Sequence, residues 1–132
     1  MAEIYVHFTE HDGVIVAPRR APVFGGETIH WRVVSDNEAV YGVRIRFSGP
    51  RAPLFFVTAR AKRRPTGQAI FYTTKFGGGT VVSGVAPVVR ESLALKYSVA
   101  GLTKRGKRVK GAYRDPVIII DPPAYPPAVK KG

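Results

Sequence analysis

Residues 27–47 constrain the fold of this chain more than any other stretch, because apolar and polar side chains alternate along both of its ends. Every second residue is apolar over residues 29–33 and again over residues 43–47. Side chains in a strand point alternately to its two faces, so the pattern is typical of two half-buried strands. Turn-forming residues lie between the two runs, at positions 35–37. The stretch therefore predicts a β-hairpin with one apolar face and one polar face.

The two faces of this predicted hairpin differ in chemistry. The apolar face carries the only tryptophan of the chain, Trp31, and we expect a hydrophobic core to form around it. The polar face carries His30, Arg32, Arg44 and Arg46. If the two strands pair with their apolar sides together, these four polar side chains form a single basic surface that faces water.

Short runs of the same kind recur along the chain and are separated by glycine and proline. The chain contains 14 Gly and 11 Pro, spaced so that no sustained helical period appears. Many short strands with turn residues between them predict an all-β fold, a Greek-key β-sandwich of about seven or eight strands. The remaining strands are predicted at residues 3–8, 14–17, 54–61, 68–74, 92–99 and 117–120, with shorter extended pieces near residues 23–24 and 81.

The length and composition of the chain predict one domain. A chain of 132 residues with 45% hydrophobic residues can bury a core without covalent cross-links. The chain has no cysteine, which excludes a disulfide framework, a thiolate metal site and a cysteine nucleophile. We expect the sandwich to occupy residues 1–123 and a proline-rich basic tail to occupy residues 124–132.

Two features of the sequence bear on location in the cell. The N-terminus has no basic segment followed by an apolar run, which a signal peptide requires. No apolar run approaches the ~18 residues that a helix needs to cross a bilayer. We therefore expect a soluble, cytoplasmic protein without a membrane span.

The charge balance gives the clearest indication of function. The chain carries 21 Lys and Arg residues against 9 Asp and Glu residues, a formal net charge of +12. No acid occurs between Glu38 and Glu91, whereas nine Lys or Arg residues do. A field of this sign attracts nucleic acid, an anionic membrane or an acidic protein. The simplest alternative is that the charge only maintains solubility.

The basic residues fall into three predicted groups: the polar face of the hairpin, a turn after the strand at residues 54–61, and a late loop at residues 103–114. The candidate nucleic-acid-binding residues in these groups are Arg32, Arg44, Arg46, Arg60, Lys62, Arg63, Arg64, Lys104, Arg105, Lys107, Arg108, Lys110 and Arg114. Arginine binds phosphate oxygens with two parallel hydrogen bonds, and Tyr41, Tyr72 and Tyr113 lie near these groups, where they can stack on bases. The predicted binding is largely independent of base sequence and sensitive to salt.

A structural or assembly module is the alternative function. Small β-sandwiches bind other proteins through their edges and loops, and the proline-rich tail can dock on a partner as an extended segment. The basic surfaces would then meet acidic subunits or support self-assembly. The placement of the charges separates the two functions. Convergence on one groove favours nucleic acid, whereas dispersal around the domain together with an apolar patch favours assembly.

Catalytic and metal-binding patterns are weak in this sequence. His7, His11 and His30 match no compact metal-ligand spacing, and Ser83 does not stand in a G-x-S-x-G turn. The triple glycine at residues 77–79 is not followed by the Gly-Lys-Ser/Thr of a phosphate-binding loop. We therefore expect a non-enzymatic protein without cofactor or metal.

Three segments resemble cupredoxin-like domains. Residues 18–33 (P-R-R-A-P-V-F-G-G-E-T-I-H-W-R-V) are similar to the early part of that fold, where an extended segment leads to a glycine, an acidic residue and a strand bearing tryptophan. Residues 95–99 (L-K-Y-S-V) and 115–121 (D-P-V-I-I-I-D) are similar to the last two strands of small bacterial proteins with that fold. The resemblance implies a cupredoxin-like sandwich, with an immunoglobulin-like sandwich as the alternative.

The copper chemistry of cupredoxins is not implied for this chain. A blue-copper site uses two histidines, a cysteine thiolate and a weak axial methionine. The chain has no cysteine, its only methionine is Met1, and the loops at residues 35–39 and 101–114 contain no histidine. The resemblance therefore implies the fold without its metal site.

Overall fold

Short strands account for most of the chain that the structure describes. The computed structural model describes residues 2–11, 13–47, 62–63, 68–72 and 80–123, with the backbone alone for residues 62–63, 68–72 and 80. The strands are β1 (Ala2–Thr9), β2 (Gly13–Ala17), β3 (Arg20–Phe24), β4 (Thr28–Ser35), β5 (Gly42–Phe47), β6 (Lys62–Arg63), β7 (Gln68–Tyr72), β8 (Thr80–Val85), β9 (Leu93–Leu102), β10 (Arg108–Arg114) and β11 (Val117–Asp121). Within these residues the search for a helix long and apolar enough to cross a membrane finds none.

The strands form two sheets. The small sheet has the order β2-β1-β4-β8, and the large sheet has the order β3-β11-β9-β5-β7-β6, with β10 also paired to β9. The pairs β1–β4 and β3–β11 are parallel, and the other pairs are antiparallel. This architecture confirms the predicted all-β sandwich. The described residues form eleven strands rather than seven or eight, because short pieces such as β3, β6 and β10 each pair separately.

The core between the sheets is built from the inward half of each alternating strand. The small sheet contributes Phe8 and Trp31, and the large sheet contributes Phe47, Tyr97 and Ile118, all of which are buried. The Trp31 Nε1 atom donates a hydrogen bond of 3.2 Å to the Tyr97 hydroxyl. The Trp31 ring also meets the rings of Phe47 and Tyr97 edge-on, with centroids 6.1 Å and 5.9 Å away. The prediction of a core around Trp31 is confirmed.

The predicted hairpin of residues 27–47 is wrong. Strand β4 pairs with β1 and β8 in the small sheet, whereas β5 pairs with β7 and β9 in the large sheet. The connection is a bridge between sheets rather than a tight turn: the Asp36 amide donates to the carbonyl of Phe8 (2.8 Å), and the Tyr41 amide donates to that of Leu102 (2.8 Å). The apolar sides of β4 and β5 therefore meet across the core, and their polar sides lie on opposite outer surfaces.

Two predicted basic loops are partly strand. Residues 108–114 form β10, because Val109 and Ala112 point into the core while the basic residues between and beside them stay exposed. Only residues 103–107 remain a turn, with Gly106 at a φ of 85°. The pair Lys62–Arg63 forms β6, which pairs with β7 instead of lying in a loop tip. The strand predicted at residues 54–61 and the tail at residues 124–132 lie outside the described residues.

Candidate polyanion interface

The outer face of the large sheet carries a dense group of cations. Strand β5 directs Ile45 into the core, so its neighbours Arg44 and Arg46 point outward. Strand β9 buries Tyr97 and Val99. The alternate residues Lys96 and Ser98 therefore point outward. We call this surface the basic face and define it by the outward residues Arg44, Arg46, Lys96, Ser98, Arg108, Lys110 and Tyr113.

The strand register brings the members of the basic face together. Arg46 lies opposite Ser98, and Arg44 lies opposite Ala100, which in turn lies opposite Tyr113 on β10. Neighbouring strands are ~4.8 Å apart, so Arg44 and Tyr113 are separated by about two strand spacings. The same register aligns the Lys62 backbone with residue 70 and hence with Arg44. A row that starts at β6 therefore crosses the sheet to β10.

A depression of about 570 Å³ lies in the basic face, and it is lined by Arg46, Ala94, Leu95, Lys96, Tyr97, Ser98, Tyr113 and Asp115. It forms where β9 changes partner, because Lys96 pairs with Val117 of β11 whereas Val99 pairs with Arg114 of β10. The chain between β10 and β11 is tied to the sheet at this point by a hydrogen bond of 3.0 Å from the Tyr97 amide to the Pro116 carbonyl. Two cations, two hydroxyls and one carboxylate therefore surround one opening.

The polar groups around the depression are partly engaged with each other. The Tyr113 hydroxyl donates to Asp115 Oδ1 (2.8 Å), and this hydrogen bond raises the pKa of the tyrosine. The Arg108 guanidinium lies over the Tyr113 ring at 4.8 Å from its centroid. In contrast, the Arg44 Nε atom is buried and has no hydrogen-bond partner among the described residues.

Most of the predicted binding residues fall on one side of the molecule. Ten of the thirteen belong to the large sheet or to the turn between β9 and β10: Arg44, Arg46, Lys62, Arg63, Lys104, Arg105, Lys107, Arg108, Lys110 and Arg114. Those whose side chains are described are exposed, apart from the half-buried Arg44. Arg60 and Arg64 lie outside the described residues.

Arg32 does not belong with this group, so its predicted grouping with Arg44 and Arg46 on one face is wrong. It projects from β4 on the outer face of the small sheet, at the opposite side of the sandwich. Its Nε atom donates to Glu3 Oε2 (2.7 Å), and this hydrogen bond lowers the pKa of the Glu3 carboxyl and raises that of Arg32. The charge of Arg32 is thus compensated locally. His30 also lies on the small sheet.

Lys96 is a member of the basic face that was not among the predicted binding residues. The alternation of Leu95, Lys96 and Tyr97 already indicated that it points to the polar side of its strand. The sequence did not indicate that β9 pairs with β5 and so places Lys96 beside the arginines of that strand. Which strands share a sheet depends on long-range pairing that local periodicity does not encode.

The charges are segregated between the two sheets. The strands of the large sheet contain nine Lys or Arg residues, namely Arg20, Arg44, Arg46, Lys62, Arg63, Lys96, Arg108, Lys110 and Arg114. The same strands contain one acid, Asp121. The strands of the small sheet contain one arginine and one glutamate, which bind each other. Among the described strands, the positive charge therefore lies largely on the large sheet.

The side chains of this protein do not fit a blue-copper centre. The chain lacks cysteine, and its only methionine is the first residue. His7 Nε2 is 2.6 Å from Asp36 Oδ2, and this hydrogen bond ties β1 to the end of β4. Across the described ranges, no group of three or more His, Asp or Glu side chains is placed to hold a metal ion.

Comparison with known proteins gives limited similarity. No protein-family model matches the chain, and no curated protein matches it. Among solved structures, the chain is similar to the crystal structure of Lac15 from a marine microbial metagenome, with 15% identity, a TM-score of 0.45, and coverage of 95% of this chain and 33% of that one. It is also similar to the Cu-containing nitrite reductase NirK from Thermus scotoductus SA-01, with 14% identity, a TM-score of 0.46, and coverage of 95% and 32%.

The chain thus spans about a third of the length of either structure. Both TM-scores lie below 0.5, so we draw no conclusion about family or activity from them. The β-sandwich architecture is stated from the strand pairing itself. The choice between a cupredoxin-like and an immunoglobulin-like family remains a prediction.

Proposed function

We propose that this protein is a non-enzymatic module that binds a polyanion on its basic face, and that the polyanion is nucleic acid. The observation that supports the proposal is the segregation of charge, with nine cations and one acid in the large sheet against one of each in the small sheet. If the charge excess served only solubility, we would expect cations on the outer faces of both sheets. A field concentrated on one side steers a polyanion to that side.

The arrangement of the cations suits a phosphate backbone. Arg44 and Arg46 are two residues apart on one strand, so their Cα atoms lie ~7 Å apart and their side chains point the same way. Each guanidinium can hold one phosphate with two hydrogen bonds, and Lys96 adds a point charge beside the depression.

The proposal predicts affinity that depends steeply on salt and little on base sequence. The test is a titration of the purified protein with single-stranded DNA, duplex DNA and RNA of mixed sequence, at low and at physiological salt. Each phosphate contact contributes about −0.9 to the slope of log K against log salt on duplex DNA. Binding that persists at physiological salt supports the proposal, whereas binding that disappears above low salt contradicts it. Polyglutamate serves as the control that separates nucleic acid from any acidic polymer.

A set of matched variants tests which face binds. We expect the triple variant Arg44→Gln, Arg46→Gln, Lys96→Gln to lower affinity for every nucleic acid and to reduce the salt slope by roughly one unit per residue removed. The control is Arg32→Gln, which removes one positive charge from the opposite sheet and should leave the slope unchanged. Equal loss per charge in the two variants would show that only net charge matters.

An assembly module is the second candidate function. The specific observation that favours it is the outer face of the small sheet, which is electrically neutral and exposes apolar side chains. The exposed apolar side chains meet one of the two conditions for assembly, whereas the charges are not dispersed around the domain. A sandwich with two unlike outer faces has room for both functions on separate surfaces.

A further inference from the structure

The outer face of the small sheet exposes an unusual number of large apolar side chains. Five of the seven large hydrophobic residues that are exposed within the described ranges lie on it. Their exposed fractions are 55% for Tyr5, 55% for Ile15, 39% for Val34, 38% for Val81 and 37% for Val85. Each occupies an outward position of an alternating strand. We call this surface the apolar face and define it by these five residues.

The register distributes the apolar residues over all four strands and places polar side chains directly between them. His7 lies opposite Ile15 on one side and opposite Val34 on the other. In the next row, Tyr5 lies opposite Arg32, which lies opposite Val81. Isolated apolar residues on a surface are ordinary, but five exposed on the outer face of one sheet indicate an interaction surface. Tyr5 is the diagonal neighbour of both Ile15 and Val34, within reach of an aromatic side chain.

The charges on the apolar face compensate each other. The strands of the small sheet hold one glutamate and one arginine, and Glu3 and Arg32 form an ion pair with an N–O distance of 2.7 Å. A protein with a net charge of +12 thus presents one surface without excess charge.

We propose that the apolar face binds a second copy of this chain, so that two sandwiches associate through their small sheets. The charge distribution selects this occupant. Two copies cannot approach through their basic faces because like charges repel, and an acidic partner is drawn to the basic face instead. Two positively charged copies of the chain meet at the lowest electrostatic cost through a neutral, apolar face. A two-fold axis then pairs this face with the same face of the second copy.

The dimensions of the face set the expected strength. Four strands with ~4.8 Å spacing and about 3.3 Å per residue give a face of roughly 20 Å by 25 Å. This area is below the ~800 Å² per partner of a standard stable interface. Net repulsion between two +12 chains weakens association further. We therefore expect a reversible dimer with a dissociation constant of roughly 100 µM or weaker at low salt.

The dimer has a consequence for the proposed ligand but does not depend on it. Association through the small sheets leaves the two basic faces on opposite outer sides of the dimer. Such a dimer can hold two polyanion segments at once, or two sites of one long polyanion, with a gain in avidity. Self-association is measured without any nucleic acid, so its failure leaves the proposed function untouched, and the reverse also holds.

The decisive measurement is sedimentation velocity of the full chain over a wide concentration range, at low and at high salt, in the absence of nucleic acid. Salt screens the repulsion between two positively charged copies of the chain but does not weaken the contact between their apolar side chains. We therefore expect the dimer fraction to rise with salt. Polyanion binding responds to salt with the opposite sign. A monomer at every concentration and salt would overturn the proposal.

Matched variants locate the interface. We expect Ile15→Lys and Val34→Lys each to weaken dimerisation at least tenfold, because each places a new charge on the apolar face, beside His7. The control is Val88→Lys, which makes the same charge change at a residue that is 66% exposed and lies outside both sheets. Circular dichroism confirms that each variant is folded. Equal weakening by Ile15→Lys and Val88→Lys would contradict the assignment of the face.

Discussion

The small sheet and the large sheet follow the same pattern inside the sandwich and differ on its outside. In both, every second residue is buried against a common core in which Trp31 of one sheet meets Tyr97 of the other. Next to these buried positions, the small sheet exposes Tyr5 and Ile15, whereas the large sheet carries the half-buried Arg44 and the exposed Arg46.

This difference teaches what alternation does and does not determine. Alternation requires apolar residues at the inward positions, since burying an unpaired charge there would destabilise the fold. It places no such requirement on the outward positions, so the residue types found there reflect the solvent or the molecules that each face contacts. On this protein the outward positions divide into a basic face and an apolar face. The following predictions test whether that division is a property of the folded sandwich.

The largest effect is expected from Trp31→Ala, which removes the contact between the two sheets. The indole is fully buried, donates to the Tyr97 hydroxyl and packs edge-on against Phe47 and Tyr97. Truncating a buried aromatic side chain lowers the free energy of unfolding by about 3–5 kcal/mol. Urea denaturation followed by circular dichroism measures the loss.

The control for this variant is Val88→Ala, which shortens an exposed side chain and should change stability by less than ~0.5 kcal/mol. The Trp31→Ala variant also tests the basic face. When this variant is unfolded, its cations are no longer arranged on a sheet. If the unfolded variant bound nucleic acid at physiological salt as tightly as the folded protein does, that arrangement would be irrelevant to binding.

The sequence predicted the inside of this protein better than its outside. The alternation of Ile4, Val6 and Phe8, like that of Ile29, Trp31 and Val33, predicted both strand and buried face, and all six residues are buried. These predictions succeed because burial alternates with period two along a single strand. They need no knowledge of which strands are neighbours.

The outside required the pairing of strands that are far apart in sequence. Arg32 and Arg44 were placed on one face because their strands are consecutive, but β4 and β5 lie in different sheets. Lys96 was left out because its neighbour β5 lies some fifty residues earlier, a separation seen in the register of Ser98 with Arg46. Residues 108–114 were assigned to a loop because the six Lys and Arg residues within residues 103–114 concealed the two inward positions of Val109 and Ala112.

A smaller effect is expected from alkaline pH, which tests the hydrogen bond between the sheets. Burial raises the pKa of Tyr97 from 10.0 to about 12, although the Trp31 hydrogen bond opposes the shift. The folded state therefore holds this proton more tightly than the unfolded state. Stability is unaffected below the unfolded pKa near 10, falls as pH rises from 10 to 12, and is lower by roughly 2–3 kcal/mol beyond that range.

Urea titrations at stepped pH values measure this loss, with Tyr97→Phe as the matched variant. Phenylalanine has no proton to lose, so we expect a shallower decline between pH 10 and 12. It also leaves the Trp31 Nε1 donor without the Tyr97 acceptor, which lowers stability at neutral pH by about 1–3 kcal/mol. Parallel pH profiles for the two proteins would show that Tyr97 does not link the sheets in this way.

The smallest effect on stability, and the sharpest test of the two faces, is expected from Glu3→Gln. The Arg32 guanidinium lowers the pKa of the Glu3 carboxyl through their hydrogen bond. The pair therefore stabilises the fold above the unfolded pKa of 4.5, and this contribution is lost as pH falls through the lower folded value. Because both side chains are exposed, salt screens the pair and we expect little change in melting temperature at neutral pH.

The consequence of Glu3→Gln for association should be larger than its consequence for folding. The variant leaves Arg32 uncompensated and gives the apolar face a net positive charge, so two copies that meet through this face now repel. We expect dimerisation measured by sedimentation to weaken several-fold, while nucleic-acid binding on the opposite sheet stays unchanged. The control Glu91→Gln removes the same charge from an exposed residue outside both sheets. If Glu91→Gln weakened dimerisation as much as Glu3→Gln, net charge rather than a neutral face would govern how two copies meet.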